Sequence, residues 1–350
     1  MNREPDASST ERGRTLVIQT AFIGDVVLTI PLLQMLAARH GPVDVVTTPA
    51  SASLVEAHPA VRRVIPYDKR GADRGWPGFR RMVRTLRDNQ YRRVYLAHRS
   101  WRSAALAWLA RIPERIGFAD APGAPSYTRR IPTPQGVHAI ERYEALAEPG
   151  ERRVPEPWLA LPERDRQAAN AWLLAQGIEG PFIAIAPGSI WGTKRWPYFP
   201  ELAARLTLPV VAIGGAQDEE LAAAVERAAA RGANAAGALG LRESAAVVER
   251  AAVLVTNDSA PLHLASAVGT PIVAIFGPTI PAFGFGPIRP GDRVVEHPDM
   301  PCRPCSQHGP KVCPLGHHRC MKEVTVDQVL NALTEVQNAG EARRAVHRRN

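Results

Sequence analysis

Apolar residues along this chain fall mostly in short continuous runs, separated by stretches whose apolar positions recur at helical spacing. Residues 16–18, 43–47, 63–65, 94–96 and 115–117 read as strands in the first half, and residues 183–186, 210–213, 254–256 and 272–276 in the second. Runs without polar alternation suit strands buried on both faces, and their alternation with helices predicts parallel sheets covered on both sides. The fold class expected is therefore α/β. At 350 residues the chain is long for one domain, so two are expected. The stretch 148–162, rich in Pro and charge, reads as the link, which gives domains at 14–155 and 156–338 with disordered or solvated tails at 1–13 and 339–350.

The ends of three predicted strands carry candidate chemistry. After the apolar run 253–255 come Asn257, Asp258 and Ser259, residue types that cap helices, and then Ala260 and Pro261 in a first helical turn whose amides have no intrahelical partner. Spare amides and the positive end of a helix dipole make an anion site, which His263, one turn after Ser259, can also face. The strand 271–276 then ends on Gly277-Pro278-Thr279, where glycine permits close backbone approach. An ordinary strand–helix–strand unit with a polar turn is the plainer alternative. The strand 183–186 runs into Pro187-Gly188-Ser189 and then Gly192-Thr193-Lys194-Arg195, flanked by Trp191 and Trp196. Only three residues separate Gly188 from Gly192, and Thr193 stands before Lys194, so the spacing of a phosphate loop fails. Small residues, hydroxyls and cations at a strand's carboxyl end still fit an anion site, against the alternative of a solvated turn.

The strand 16–18 leads to a single glycine, Gly24, where a dinucleotide fingerprint needs three. Asp25 beside it reads either as a first-turn carboxylate that complements the helix dipole or, if it faces a crevice, as a general base.

Together these pieces resemble glycosyltransferase family 9, the lipopolysaccharide heptosyltransferases, and within it most nearly the heptosyltransferase II branch. The matching residues are 24–31, Pro187-Gly188-Ser189 with residues 193–197, Asp258-Ser259 through His263, and residues 276–279, in family order from about Thr15 to about Leu333. Ala260 stands where the family usually has glycine. The resemblance implies GT-B architecture, two Rossmann-like domains with parallel sheets facing across a cleft, the last helix at about 326–337 often crossing back to the first. It also implies an inverting transferase with no cofactor and no catalytic metal. Its donor is ADP-heptose and its acceptor a lipid-anchored, anionic core oligosaccharide. By this analogy Asp25 is the base and Lys194 neutralises the departing ADP. Ser189, Thr193, Asp258, Ser259, Ala260, His263, Gly277 and Thr279 line the donor, and one of Asp218, Glu219 or Glu220 holds its ribose. Heptosyltransferases of type I or III, a nucleotide-sugar epimerase and a non-catalytic nucleotide-sugar binder remain alternatives.

Charge sharpens the acceptor side. Residues 62–130 hold 17 Lys plus Arg against 5 Asp plus Glu, an excess of 17 − 5 = +12 within a chain of net charge +9. Arg80, Arg81, Arg84 and Arg87 suit a solvated helix face, or a basic wall that attracts membrane lipid, nucleic acid or acidic saccharide. No zinc-finger, aromatic ribonucleoprotein or helix-turn-helix pattern is seen, so nucleic acid is not the expected partner. Arg99 and Arg102, after the strand 94–96, are the preferred acceptor contacts. No apolar run nears bilayer length and no signal-peptide pattern begins the chain, so a cytoplasmic protein is expected; the lipid-anchored acceptor that the resemblance implies would make it peripheral to the cytoplasmic face of the inner membrane. Finally Cys302, Cys305, Cys313 and Cys320 crowd one segment with His308, His317 and His318. A structural zinc site and metal-free thiols are both open there, and disulfides are disfavoured in a reducing compartment.

Overall fold

The computed structural model describes residues 13–147 and 156–347, and the side chains through residue 339. The first tail, the boundary expected at 155/156, much of the expected link and the last three residues lie outside them. The chain divides into two compact units, Met1–Ala160 and Leu161–Asn350.

In the first unit, strands β1 (Thr15–Ile18), β2 (Val43–Thr47), β3 (Val61–Pro66), β4 (Arg93–Leu96), β5 (Glu114–Phe118) and β6 (Arg129–Ile131) alternate with helices α1 (Ile23–His40), α2 (Pro49–Glu56), α3 (Gly75–Asp88), α4 (Trp101–Leu109) and α5 (Ala139–Glu144). The sheet is wholly parallel in the order β3-β2-β1-β4-β5-β6, with Leu16 opposite Asp44 on one side of β1 and opposite Val94 on the other. All four residues of β1 and of β4 are buried, as a sheet covered on both faces requires.

The second unit opens with α6 (Glu163–Ala175) and holds β7 (Ile183–Ala186), α7 (Phe199–Ala204), β8 (Val210–Ala212), α8 (Glu219–Ala228), β9 (Gly232–Asn234), α9 (Leu241–Arg250), β10 (Val253–Asn257), α10 (Ala260–Val268), β11 (Ile272–Phe276), β12 (Arg293–Glu296), α11 (Arg319–Lys322) and α12 (Val326–His347). Its parallel sheet runs β12-β11-β10-β7-β8-β9, which is the first unit's topology repeated. In each unit the strand order reverses between its first and fourth strands, and loops that leave such a switch point part to open a crevice outside the strands' carboxyl ends. Asp25, Arg99 and Arg102 follow β1 and β4; Lys194 and Asp258 follow β7 and β10.

Three strands escape the apolar-run pattern, β6, β9 and β12. Each is an edge strand of three or four residues, and an edge can carry Arg129, Arg130, Asn234 or Arg293 without burying charge. The last helix runs through His347, ten residues past the end expected at Gln337 and into the tail read as unstructured. It packs against β10, β11, β12 and α7 of its own unit. Trp196 lies in that unit's core at 2% exposure, edge-on to Phe199, its indole N–H donating to Val324 O at 2.9 Å. Among the described residues no helix is long and apolar enough to cross a membrane.

Candidate functional site

Four loops at the carboxyl ends of the second sheet converge on one charged cluster. Asn257, fully buried at the end of β10, donates its side-chain amide to Pro187 O at 2.9 Å and accepts from Trp196 N at 3.0 Å, which ties the loop after β7 to β10. The tie brings the short 3-10 turn Gly192–Lys194 beside Asp258. There Lys194 Nζ lies 2.6 Å from Asp258 Oδ2, with the two side chains only 9% and 8% exposed. Thr279 Oγ1 donates to the same carboxylate oxygen at 2.6 Å. Two charges so far from water persist only when paired and hydrogen-bonded.

Immediately beyond Asp258, Ser259 is the N-cap of α10, yet its side chain makes no capping hydrogen bond. The helix starts at Ala260 with Pro261 in its first turn and ends on Gly269, whose φ of 91° places it in the left-handed region that glycine tolerates. Its first turn thus lacks a capping side chain and lies just beyond Asp258, the partner of the Lys194 ammonium. Ser189 is buried in the loop after β7, its Oγ accepting from Trp191 N at 3.3 Å. His263 is buried on α10, its ring 6.2 Å from that of Phe285.

Two of the expected site residues also have packing roles. A Cβ on Gly277 would meet the Met321 side chain at 2.7 Å, so close packing also favours glycine there. Asp218 is buried in the turn after β8: it accepts from Gly215 N at 3.1 Å, and a Cβ on Gly188 would lie 2.3 Å from its carboxylate. It braces the two strand ends, whereas Glu219 and Glu220 are exposed on the first turn of α8.

Of the two readings left open for the cysteine-bearing segment, a zinc site and metal-free thiols, the described residues show no assembled metal site. All four cysteines are free thiols, and among the described residues no three histidine, cysteine, aspartate or glutamate side chains gather closely enough to hold a metal ion. Cys320 belongs to the apolar core, where burial and then the neighbouring thiols push its own up to about 11. The segment instead clamps the lysine turn. Thr193 Oγ1 donates to Pro310 O, His318 Nε2 hydrogen-bonds Thr193 O at 2.7 Å, and Trp191 stacks on His308 with ring centres 6.0 Å apart. Arg303 reaches Thr279 O at 2.8 Å and Glu296 at 2.6 Å. Nothing in the spacing of these residues announces the clamp, because every contact except Arg303 to Glu296 spans 24 to 125 residues.

In the first unit, Asp25 stands in the first turn of α1, half-buried. One carboxylate oxygen accepts from Phe22 N at 3.3 Å, the helix-start role its position suggests. The other accepts from Tyr143 Oη at 2.7 Å, across 118 residues of chain. Tyr143 lies on α5, which packs against α1. Burial, with Asp25 beside it, pushes its phenol well above the ordinary range, so it remains a proton donor. Gln19 bonds the same phenol and donates to Thr29 Oγ1 at 3.0 Å, while Thr29 donates to Asp25 O at 2.6 Å. Sequence reading missed Tyr143 and Gln19, since neither sits in a motif. Arg102 donates to Tyr67 Oη at 2.8 Å and lies over the Tyr67 and Phe79 rings, and Arg99 pairs with Asp120 at 2.7 Å.

Two parallel sheets of one topology, with polar side chains gathered at each switch point, define the class: a GT-B glycosyltransferase with Rossmann-like domains. The particular family follows from comparison with known proteins. The chain belongs to glycosyltransferase family 9 (heptosyltransferase), whose description matches residues 79–315. It is 30% identical over 359 residues to lipopolysaccharide heptosyltransferase 2 of Salmonella typhimurium, covering 91% of this chain and 97% of that one. To lipopolysaccharide heptosyltransferase 1 of Pseudomonas aeruginosa it is 33% identical over 323 residues, covering 83% and 86%. The solved E. coli ADP-heptose lipopolysaccharide heptosyltransferase II matches with a TM-score of 0.77 at 25% identity, over 94% of this chain and 99% of that one.

Proposed function

We propose that this enzyme moves heptose from ADP-L-glycero-D-manno-heptose to a heptose of the lipopolysaccharide inner core, with inversion and without a metal ion in the transfer step. The observation that carries the reading is the buried Lys194–Asp258 pair beside an uncapped helix start, in a chain of the heptosyltransferase family. An ammonium has three protons to donate, so Lys194 can keep one bond to Asp258 and offer the others to a diphosphate. The amides near Ser259 and Ala260 and the hydroxyl of Ser189 add donors to the same anion. Thr193 and Thr279 spend their hydroxyls on Pro310 O and Asp258, and so act by holding the cluster in place. His263 and Asp258 would orient the sugar, and Glu219 or Glu220, exposed where Asp218 is not, would take the ribose.

In the transfer, Asp25 takes the proton of the acceptor hydroxyl as that oxygen bonds the anomeric carbon from the face opposite the phosphate. The bond from anomeric carbon to phosphate oxygen breaks, and ADP leaves with the electron pair, its new charge met by Lys194. Tyr143 would hold Asp25 in the one rotamer that leaves its carboxylate aimed at the acceptor. Arg99 and Arg102 would meet the carboxylates and phosphates of the lipid-anchored acceptor, and the reaction would then run at an anionic membrane surface.

The test is ADP release from ADP-heptose with and without heptose-bearing core acceptor. Release only with acceptor supports transfer; an isomerised donor without acceptor would point to an epimerase, and binding without product to a binding module. The 33% identity to a heptosyltransferase 1 favours a second reading, addition of the first core heptose. Turnover on an acceptor that carries no heptose would select it.

A further inference from the structure

We propose that the outer faces of α3 and α4 form a docking surface for an anionic phospholipid bilayer. The chain has seven tryptophans. Trp196 is 2% exposed in a core, but Trp76, Trp101 and Trp108 are 64%, 65% and 59% exposed. All three stand on this one pair of helices, which pack against each other. On α4, Ser103, Ala104, Leu106 and Ala107 face inward, whereas Trp101 and Trp108, two helical turns apart, share the opposite stripe. On α3 the buried residues are Gly78, Phe79, Met82 and Leu86. Trp76 stacks on Phe79 with ring centres 5.4 Å apart, and the Arg102 guanidinium of α4 lies 5.3 Å over that same Phe79 ring. The stack bridges the seam between the helices, so Trp76 and Trp101, each in a first turn, flank it at the carboxyl end of the sheet.

Between and behind the indoles the surface is basic. Helix α3 carries Arg80, Arg81, Arg84 and Arg87, all exposed, against a single acid, Asp88. Arg81 pairs with Asp73, and Arg87 reaches Leu109 O at 2.7 Å; Arg80 and Arg84 form no ion pair among the described residues. Indole rings with an apolar body and one N–H donor settle at the boundary between headgroups and acyl chains, and arginines beside them draw in anionic headgroups. The indoles stand exposed on the outer faces of two packed helices among exposed arginines, a combination that suits an anionic lipid surface. The inference rests on the proposed lipid-anchored acceptor only for its purpose; the surface itself stands on exposure and charge.

Flotation of the full chain with vesicles tests it. Binding is expected to vesicles of phosphatidylethanolamine with phosphatidylglycerol, to weaken with salt, and to be slight for phosphatidylcholine alone. Replacing Trp76, Trp101 and Trp108 together by Ser should lower the partition about tenfold or more, and so should Arg80→Gln with Arg84→Gln and Arg87→Gln. Arg227→Gln with Arg231→Gln, exposed cations of the second unit, should leave it within about twofold. Indole emission of the wild type should shift to the blue on binding and stay put in the tryptophan variant. Wild-type chain left unbound, or a tryptophan variant that floats as well as wild type, overturns the proposal; so does duplex DNA binding that the arginine changes abolish while vesicles are ignored. Heptose transfer to a delipidated acceptor should survive in the tryptophan variant and fail in Asp25→Asn. Loss of transfer in the wild type, with vesicle binding intact, would instead sink the functional reading alone.

Discussion

The two sheets share one topology but treat their key charges in opposite ways. At the first switch point a half-buried carboxylate is held by one phenol and one backbone amide; at the second, a cation and an anion are both taken almost wholly out of water and braced by a threonine and a long loop. In the proposed roles, a base must remain reachable by a hydroxyl that comes and goes, so light restraint would suit it. An ammonium proposed to meet a diphosphate would do best if its field is not diluted by solvent, and burial would supply that.

The contrast is broken most directly by Asp25→Asn, which should lower kcat by about 10²–10⁴ with donor affinity little changed; steady-state rates and donor calorimetry read both, and near-normal turnover would remove the base. Lys194→Met should lose turnover and donor affinity together. It should also destabilise the fold by about 3–5 kcal/mol, because Asp258 is then a lone buried charge. Pairing it with Asp258→Leu should restore much of the denaturation midpoint but none of the activity, which separates the structural from the chemical role. Tyr143→Phe should cost about tenfold in kcat. It removes a donor that favours the ionised carboxylate, so the acid limb of kcat/KM should move to higher pH. An unmoved limb would confine Tyr143 to packing.

A smaller effect concerns Glu144, buried beside Tyr143 with no hydrogen-bond partner for either carboxylate oxygen among the described residues. Burial, then Glu141, pushes its pKa up to about 8. The folded state therefore favours the protonated acid, and stability is lost as pH rises from the ordinary carboxylate range through about 8. Glu144→Gln should raise the melting temperature at pH 9 and change it little at pH 5. Thr193→Val, which cuts one bond of the clamp, should cost about 1 kcal/mol and raise the donor KM severalfold.

How much of this was legible in the sequence follows the same division. Buried strands announce themselves by unbroken apolar runs, so β1, β2, β7 and β11 are read nearly to the residue, while the edge strands β6, β9 and β12 lack the signal because water covers one side of them. Lys194, Asp258 and Thr279 sit in motifs at strand ends, and the structure gathers those three. Tyr143 and the loop over Thr193 are joined to the site only by tertiary folding, through side chains and carbonyls that leave no periodic trace. Gly277 has a further packing neighbour that the sequence did not reveal: Met321 comes from α11, which nothing nearby in sequence foretells.

The clamp has a practical consequence. Cys313 lines a hollow of about 320 Å³ together with Gly192, Thr193 and Arg195. Partial burial raises its thiol, but backbone N–H groups of His318, Leu315, Gly316 and His317 outweigh this and hold it below the ordinary cysteine value. A thiol-directed fluorophore attached there would rest against the very turn that carries the lysine, and would register nucleotide capture optically, without any sugar having to change hands.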